Sequence, residues 1–212
     1  MADQRQITEP CHLLDENGYL TNPGYATKPL WRYTRKKIKA PWYRIKEWDY
    51  YYVLAPDRGY GITFTIADLG YVGLAAVCWL DFQKKRYSQL DSFSLLPMGK
   101  MKLPATSEAG TSSFQSKKLN LSIEVSKGVR FISFVAPGFV DDKGEQGLNG
   151  KILLKEDLQA DSMVIATSWP ENRKAFYYNR KINCLPAEGR VIIGDRKYDR
   201  SEEHTSELQS LL

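Results

Sequence analysis

The residues able to do chemistry are few, and most are aspartates set among aromatic or apolar neighbours. Asp49 lies within Trp48-Asp49-Tyr50-Tyr51-Tyr52. Turned toward an apolar interior, its carboxyl would be desolvated, would hold its proton to higher pH and would suit general acid work. Turned outward, it would pair with Arg44 or Lys46. Asp68 stands before Leu69-Gly70 at the end of an alternating run. It is the second candidate proton donor, or else the residue that opens a turn. Asp81 interrupts an apolar run between Leu80 and Phe82 and needs a partner or solvent. Trp48, Tyr50 and Tyr52 share one face of a strand and are candidate ligand-binding residues. Asn179 and Asn183 follow Tyr177 at even spacing, where amides either orient a ligand's polar group or tie down a turn.

What is scarce excludes other chemistries. The sequence has 2 histidines, His12 and His204, too few for a multi-histidine metal site, so no metal and no cofactor are expected. A Ser-His-Asp or Cys-His arrangement would have to use His12, in an expected loop. Cys11, Cys78 and Cys184 are far apart and form no CxxC pair. An odd number of thiols suits a reducing, cytoplasmic setting. The polar start MADQRQITEP does not read as a signal sequence. The longest apolar run, residues 69–80, is too short to span a bilayer as a helix. No glycine-rich nucleotide cradle of the common kinds is present.

The elements that must position these groups read as strands. With 13 Tyr, 8 Phe and 5 Trp in 212 residues, the composition favours β-structure. Ile62, Phe64 and Ile66 alternate with threonines, and residues 69–82 suit a strand buried on both faces. Leu119, Leu121, Ile123 and Val125 lead into a turn at Lys127-Gly128, from which Val129, Phe131, Ser133 and Val135 return. Further strands are expected near 152–154, 163–167 and 175–181, with a hairpin turning at Gly194-Asp195. Residues 97–117 read as a loop. Short helical segments are expected only at 33–39 and 156–159. The fold class is therefore all-β, a barrel or sandwich.

Residues 1–27 read as an irregular leader. Residues 28–47 form a basic, aromatic strap. Lys28, Arg32, Arg35, Lys36, Lys37, Lys39, Arg44 and Lys46 alternate with Trp31, Tyr33, Trp42 and Tyr43. The formal net charge of +5 is concentrated there. Three readings stay open: aromatics packed on the fold with basic stems reaching water, contact with anionic lipid or a small anion, and nucleic-acid binding, for which no recognition motif speaks.

Four strings occur in order: ITEPCHLLDENGYLTNPGYATKPL, IKAPWYRIKEWDYYYVL, ITFTIADLGYVGLAAVCWLDF and FYYNRKINCLPAEGRVIIGDRKYD. Together they resemble the domain of unknown function 2804 family over residues 7–199. That resemblance implies a lipocalin-like protein of two β units. Residues 28–135 would hold the first and 148–199 the start of a truncated second. It also implies a continuation through an Asp-Trp-Gly-Arg-Gly-containing segment that is absent here. Instead, residues 200–210, RSEEHTSELQS, resemble translated sequencing adapter, and residues 200–212 are read as a tail foreign to the fold. The expected function is binding of a small apolar molecule. The alternatives are a hydratase- or cyclase-like enzyme using Asp49 or Asp68, and a polyanion-binding module.

Overall fold

The computed structural model describes residues 5–200. Strands dominate. A four-stranded antiparallel meander is formed by β4 (Glu47–Ala55), β5 (Tyr60–Asp68), β6 (Val72–Asp81) and β7 (Arg86–Leu95). It faces a six-stranded sheet of β8 (Gly110–Gln115), β9 (Asn120–Ser126), β10 (Val129–Val140), β11 (Gln146–Lys155), β14 (Ala187–Ile193) and β15 (Arg196–Arg200), in the order β15-β14-β11-β10-β9-β8. All-β is therefore correct. Among the described residues no sheet closes on itself, so the barrel alternative is not formed; the two sheets lie face to face around one core.

The period-two pattern fixes which side chains fill that core. From the meander come Val53, Ile62, Phe64, Ile66, Val77 and Trp79. From the six-stranded sheet come Leu121, Ile123, Ile132, Phe134, Leu148 and Ile152. Phe64 and Phe134 meet across the core with ring centroids 4.8 Å apart. Each fully buried side chain of this kind contributes roughly 1.5–3 kcal/mol. Lys127 (φ 49°) and Gly128 (φ 78°) make the expected two-residue turn between β9 and β10. The ladder that follows pairs Ile132 with Ile123 and Phe134 with Leu121. This corrects the apolar series expected from Val129 to Val135. Those residues face away from the core, Val135 exposed, and Arg130 takes an inward place beside Val125. A one-residue change of register reverses every side chain.

Two further differences have plain causes. β7 was not expected, because its pattern is inverted. Tyr87, Phe93 and Leu95 point outward, whereas Ser92 is buried and bonds Ser116 Oγ at 2.9 Å. The loop expected at 97–117 contains β8, a Ser/Thr-rich edge strand pairing Phe114 with Leu121. Of the two helical segments, a single 3₁₀ turn forms at Arg35–Lys37, and 156–159 is a turn held by Asp157 Oδ1, which accepts the Gln159 N–H at 2.9 Å.

The leader is more ordered than its punctuation suggested. β1 (Cys11–His12) pairs in parallel with β3 (Trp31–Arg32). β2 (Gly24–Ala26) pairs with β12 (Met163–Trp169), whose other neighbour is β13 (Asn172–Lys181). Leu13, Leu14, Leu20 and Trp31 join Val164 and Ala166 in a second core. The boundary expected between 135 and 148 falls within the β10–β11 ladder, which runs from Val129↔Lys155 to Val140↔Gln146. Apart from residue 200, which ends β15, the segment read as adapter-derived lies outside the described residues.

Candidate functional site

β4 is an edge strand of the meander and β13 an edge strand of its own sheet. Between them lies a cavity of about 80 Å³ lined by Trp48, Asp49, Tyr50, Tyr51, Ser107, Arg130, Asn179, Arg180, Ile182 and Leu185. A water molecule occupies roughly 30 Å³ of liquid, so the space holds a few waters or one small polar group. Strand alternation turns Asp49 and Tyr51 toward the six-stranded sheet and leaves Trp48 and Tyr50 on the opposite face. The cavity reaches both because β4 has no neighbour on this side.

Asp49 accepts a hydrogen bond from the Ser112 hydroxyl of β8. Desolvation pushes its carboxyl above the usual carboxylate range, and the Ser112 bond and the Arg130 charge offset that only in part. Tyr51 is pushed up to about 12, chiefly by burial and further by Asp49. Behind them is a buried charge triad. Glu156 stands between two guanidinium groups: Oε2 is 2.7 Å from Arg130 Nη1, and Oε1 accepts from Arg180 Nη2 at 2.7 Å. Arg130 Nη2 also donates to the Ser107 carbonyl at 3.2 Å. Arg180 donates from Nη1 to Ser107 Oγ and from Nε to Ser162 Oγ, each at 3.0 Å. Arg130 is only 1% exposed, so the pairing with Glu156 is what makes its burial tolerable.

Asp49 is thus inward, and the expected surface pairing does not occur: Lys46 Nζ instead bonds the Tyr43 and Leu69 carbonyls. Asn179 lines the same cavity, and its amide oxygen is buried without a hydrogen-bond partner among the described residues. Trp48 leans on Tyr177 with ring centroids 6.4 Å apart, and the Tyr177 hydroxyl is also buried and unpartnered among the described residues. Tyr52 is on the same outward face as Tyr50, 6.2 Å between centroids, but outside the cavity.

Asp68 belongs elsewhere. It is 1% exposed at the end of β5, and its Oδ1 accepts the Gly70 N–H at 3.0 Å, the geometry of a turn-forming aspartate. Asn183 is exposed beyond the end of β13 and does not reach the cavity. Asp81 also caps a turn, accepting the Lys84 N–H at 2.9 Å. Arg130, Glu156, Arg180, Ser107 and Ser112 were not singled out from the sequence. Arg130 carried the one usable signal, the only charged residue within β10.

Among the described residues no helix is long and apolar enough to cross a membrane. No curated protein and no solved structure matches the chain. A family model does match, described as Domain of unknown function (DUF2804), over residues 4–208, a span that runs into the segment resembling adapter. With nearly its whole length covered, the chain belongs to the DUF2804 family.

Proposed function

We propose that this protein binds a small amphiphile, its polar head seated in the β4–β13 cavity and its apolar body laid along the outward face of the meander. The observation that carries the reading is the cavity itself. It is small, about 80 Å³, and its lining brings Asp49, Arg130, Asn179 and Arg180 together with Trp48 and Tyr50. The cross-strand rows Trp48-Ala67-Leu74-Phe93 and Tyr50-Thr65-Ala76-Asp91 continue from it over the outer face. Polar groups there would supply orientation, and apolar burial would supply affinity at about 25 cal/mol per Å². The unpaired thiols of Cys11, Cys78 and Cys184 suit a cytoplasmic setting.

Organic extraction of purified protein followed by mass spectrometry tests the reading. A co-purified amphiphile is expected, and Trp48→Ala and Asn179→Ala should each lower its recovery. Ligand-free protein that binds no added amphiphile would remove the reading. A second reading, proton donation by Asp49 to an apolar substrate undergoing hydration or cyclisation, is favoured by the carboxyl's raised pKa beside a cavity. Turnover of a bound olefin lost in Asp49→Asn, with binding kept, would select it over simple binding.

A further inference from the structure

Four segments meet at one end of the meander. The 3₁₀ turn Trp42–Arg44 packs on the β5–β6 turn so closely that a Cβ at Gly70 would lie 2.5 Å from the Trp42 carbonyl oxygen. The segment after β7 is bonded to the same turn: Leu96 N–H donates to the Tyr71 carbonyl and Met98 N–H to the Gly70 carbonyl, both at 3.0 Å. Gly99 in turn abuts the Arg35 guanidinium of the first 3₁₀ turn, and Lys46 Nζ lies 3.9 Å from the centre of the Tyr71 ring.

This cluster presents side chains that a water-facing loop would not keep. Trp42, Tyr43, Tyr71, Leu95, Leu96 and Met98 are all exposed, Leu95 by 86%. Leu96 (φ 50°) and Met98 (φ 49°) hold the left-handed backbone region that bulky residues avoid. A turn shaped only by folding would favour glycine or asparagine at such positions. The same segments carry Lys36, Arg44, Lys100 and Lys102, all exposed and none in an ion pair among the described residues, whereas Lys39 lies against Gly18 and near Glu16. The segments' two acids are withdrawn: Glu47 takes Arg35 and the Tyr33 hydroxyl, and Asp68 is buried in its turn.

We infer that this loop cluster docks the protein on an anionic phospholipid bilayer, with Trp42, Tyr43, Tyr71, Leu96 and Met98 entering the interface and the lysines and Arg44 meeting the headgroups. The two kinds of residue divide the work as they do in bilayer interfaces. Tyr and Trp rings settle at headgroup level, and leucine and methionine reach below it. Basic side chains near an anionic leaflet strengthen binding roughly 5-fold each. The apolar residues sit on separate turn tips, a geometry suited to insertion between lipids rather than to a flat protein interface. Nucleic-acid binding by the same cations and rings is the competing outcome. The inference does not depend on what the cavity holds.

The test is sedimentation of the full chain with vesicles of phosphatidylcholine alone or mixed with phosphatidylserine. Binding is expected to the mixed vesicles only, with a blue shift of tryptophan emission that Trp42→Leu reduces. It should fall at least 10-fold between about 0.1 M and about 1 M salt, as the Debye length shrinks from ~10 Å to ~3 Å. Lys100→Glu with Lys102→Glu should weaken it at least ~25-fold. Leu96→Ser with Met98→Ser, at exposed positions that leave the melting temperature unchanged, should weaken it at least 10-fold. Equal binding to neutral vesicles, or none to the mixed ones, overturns the inference. So does tighter binding to single-stranded RNA that the Leu96 and Met98 changes leave untouched.

Discussion

Asp49 and Asp141 are both withdrawn from water, yet their carboxyls move in opposite directions. Asp49 is pushed up because burial outweighs a single hydroxyl donor and a guanidinium already engaged by Glu156. Asp141, at the β10–β11 turn, also meets burial. There the backbone N–H groups of Glu145 and Lys143 and the Arg196 side chain outweigh it and pull the carboxyl down. Its Oδ1 accepts from Lys143 N–H at 2.8 Å and Glu145 N–H at 2.9 Å, donors from its own turn that cannot turn elsewhere. Asp141 is built to be ionised and to hold a loop shut. Asp49 is left short of donors beside a cavity, as a binding or proton-handling group would be.

The contrast can be broken at its strongest point first. Arg130→Met should cost about 3–5 kcal/mol, read from denaturant unfolding, because Glu156 then keeps only Arg180 in a buried site. It should also raise the Asp49 carboxyl further, since Arg130 is one of the groups that lowers it. Asp141→Ala should cost about 1–3 kcal/mol at neutral pH, since it orphans two turn N–H groups and Arg196. The native group is depressed, so its contribution is present above the ordinary value of 3.8 and is lost as pH falls through the lowered one. Melting curves of the wild type and Asp141→Ala should therefore converge in acid.

Asp49→Asn should have the opposite sign and a smaller size. A raised carboxyl favours the folded state only while protonated, below 3.8, and that advantage disappears as pH rises through the raised value. The variant should melt higher than the wild type at pH ~7, and the gain should vanish toward pH ~3. A variant that melts lower at neutral pH would show that the Ser112 hydrogen bond dominates the site. The smallest effect belongs to Lys84→Ala. The Lys84–Asp142 pair, 2.7 Å apart and partly exposed, should move the melting temperature least, and what effect it has should fade with salt.

Much of the framework was legible from alternation. Ile62, Phe64, Ile66, Leu121 and Ile123 are inward, and the turns at Lys127-Gly128 and Gly194-Asp195 lie where two-residue hairpins predict them. What escaped did so where side-chain polarity and direction disagree. β7 hides serines and shows aromatics, and β10 buries Arg130 while exposing Val135. Asp49 was legible as a candidate, because a carboxylate amid aromatics on a strand has two possible faces. The triad behind it was not. Arg130 and Glu156 meet at the end of the β10–β11 ladder, Arg180 joins them from β13, and no local pattern says that Glu156 lies 2.7 Å from each arginine. Asp68 and Asn183 illustrate the converse: Asp68 takes the turn-opening place that its local pattern allowed, and Asn183 falls past the end of the strand whose face it was expected to share.

The pairing of β2 with β12 has a consequence for biosynthesis. Ala26 finds its partner in Val164, so the leader emerges from the ribosome long before the strand that receives it. At elongation rates of about 5–20 residues per second, the wait is on the order of ten seconds. Throughout it Leu13, Leu14 and Leu20 lack the surface they later pack against, which makes the nascent leader a ready client for chaperones that hold apolar segments.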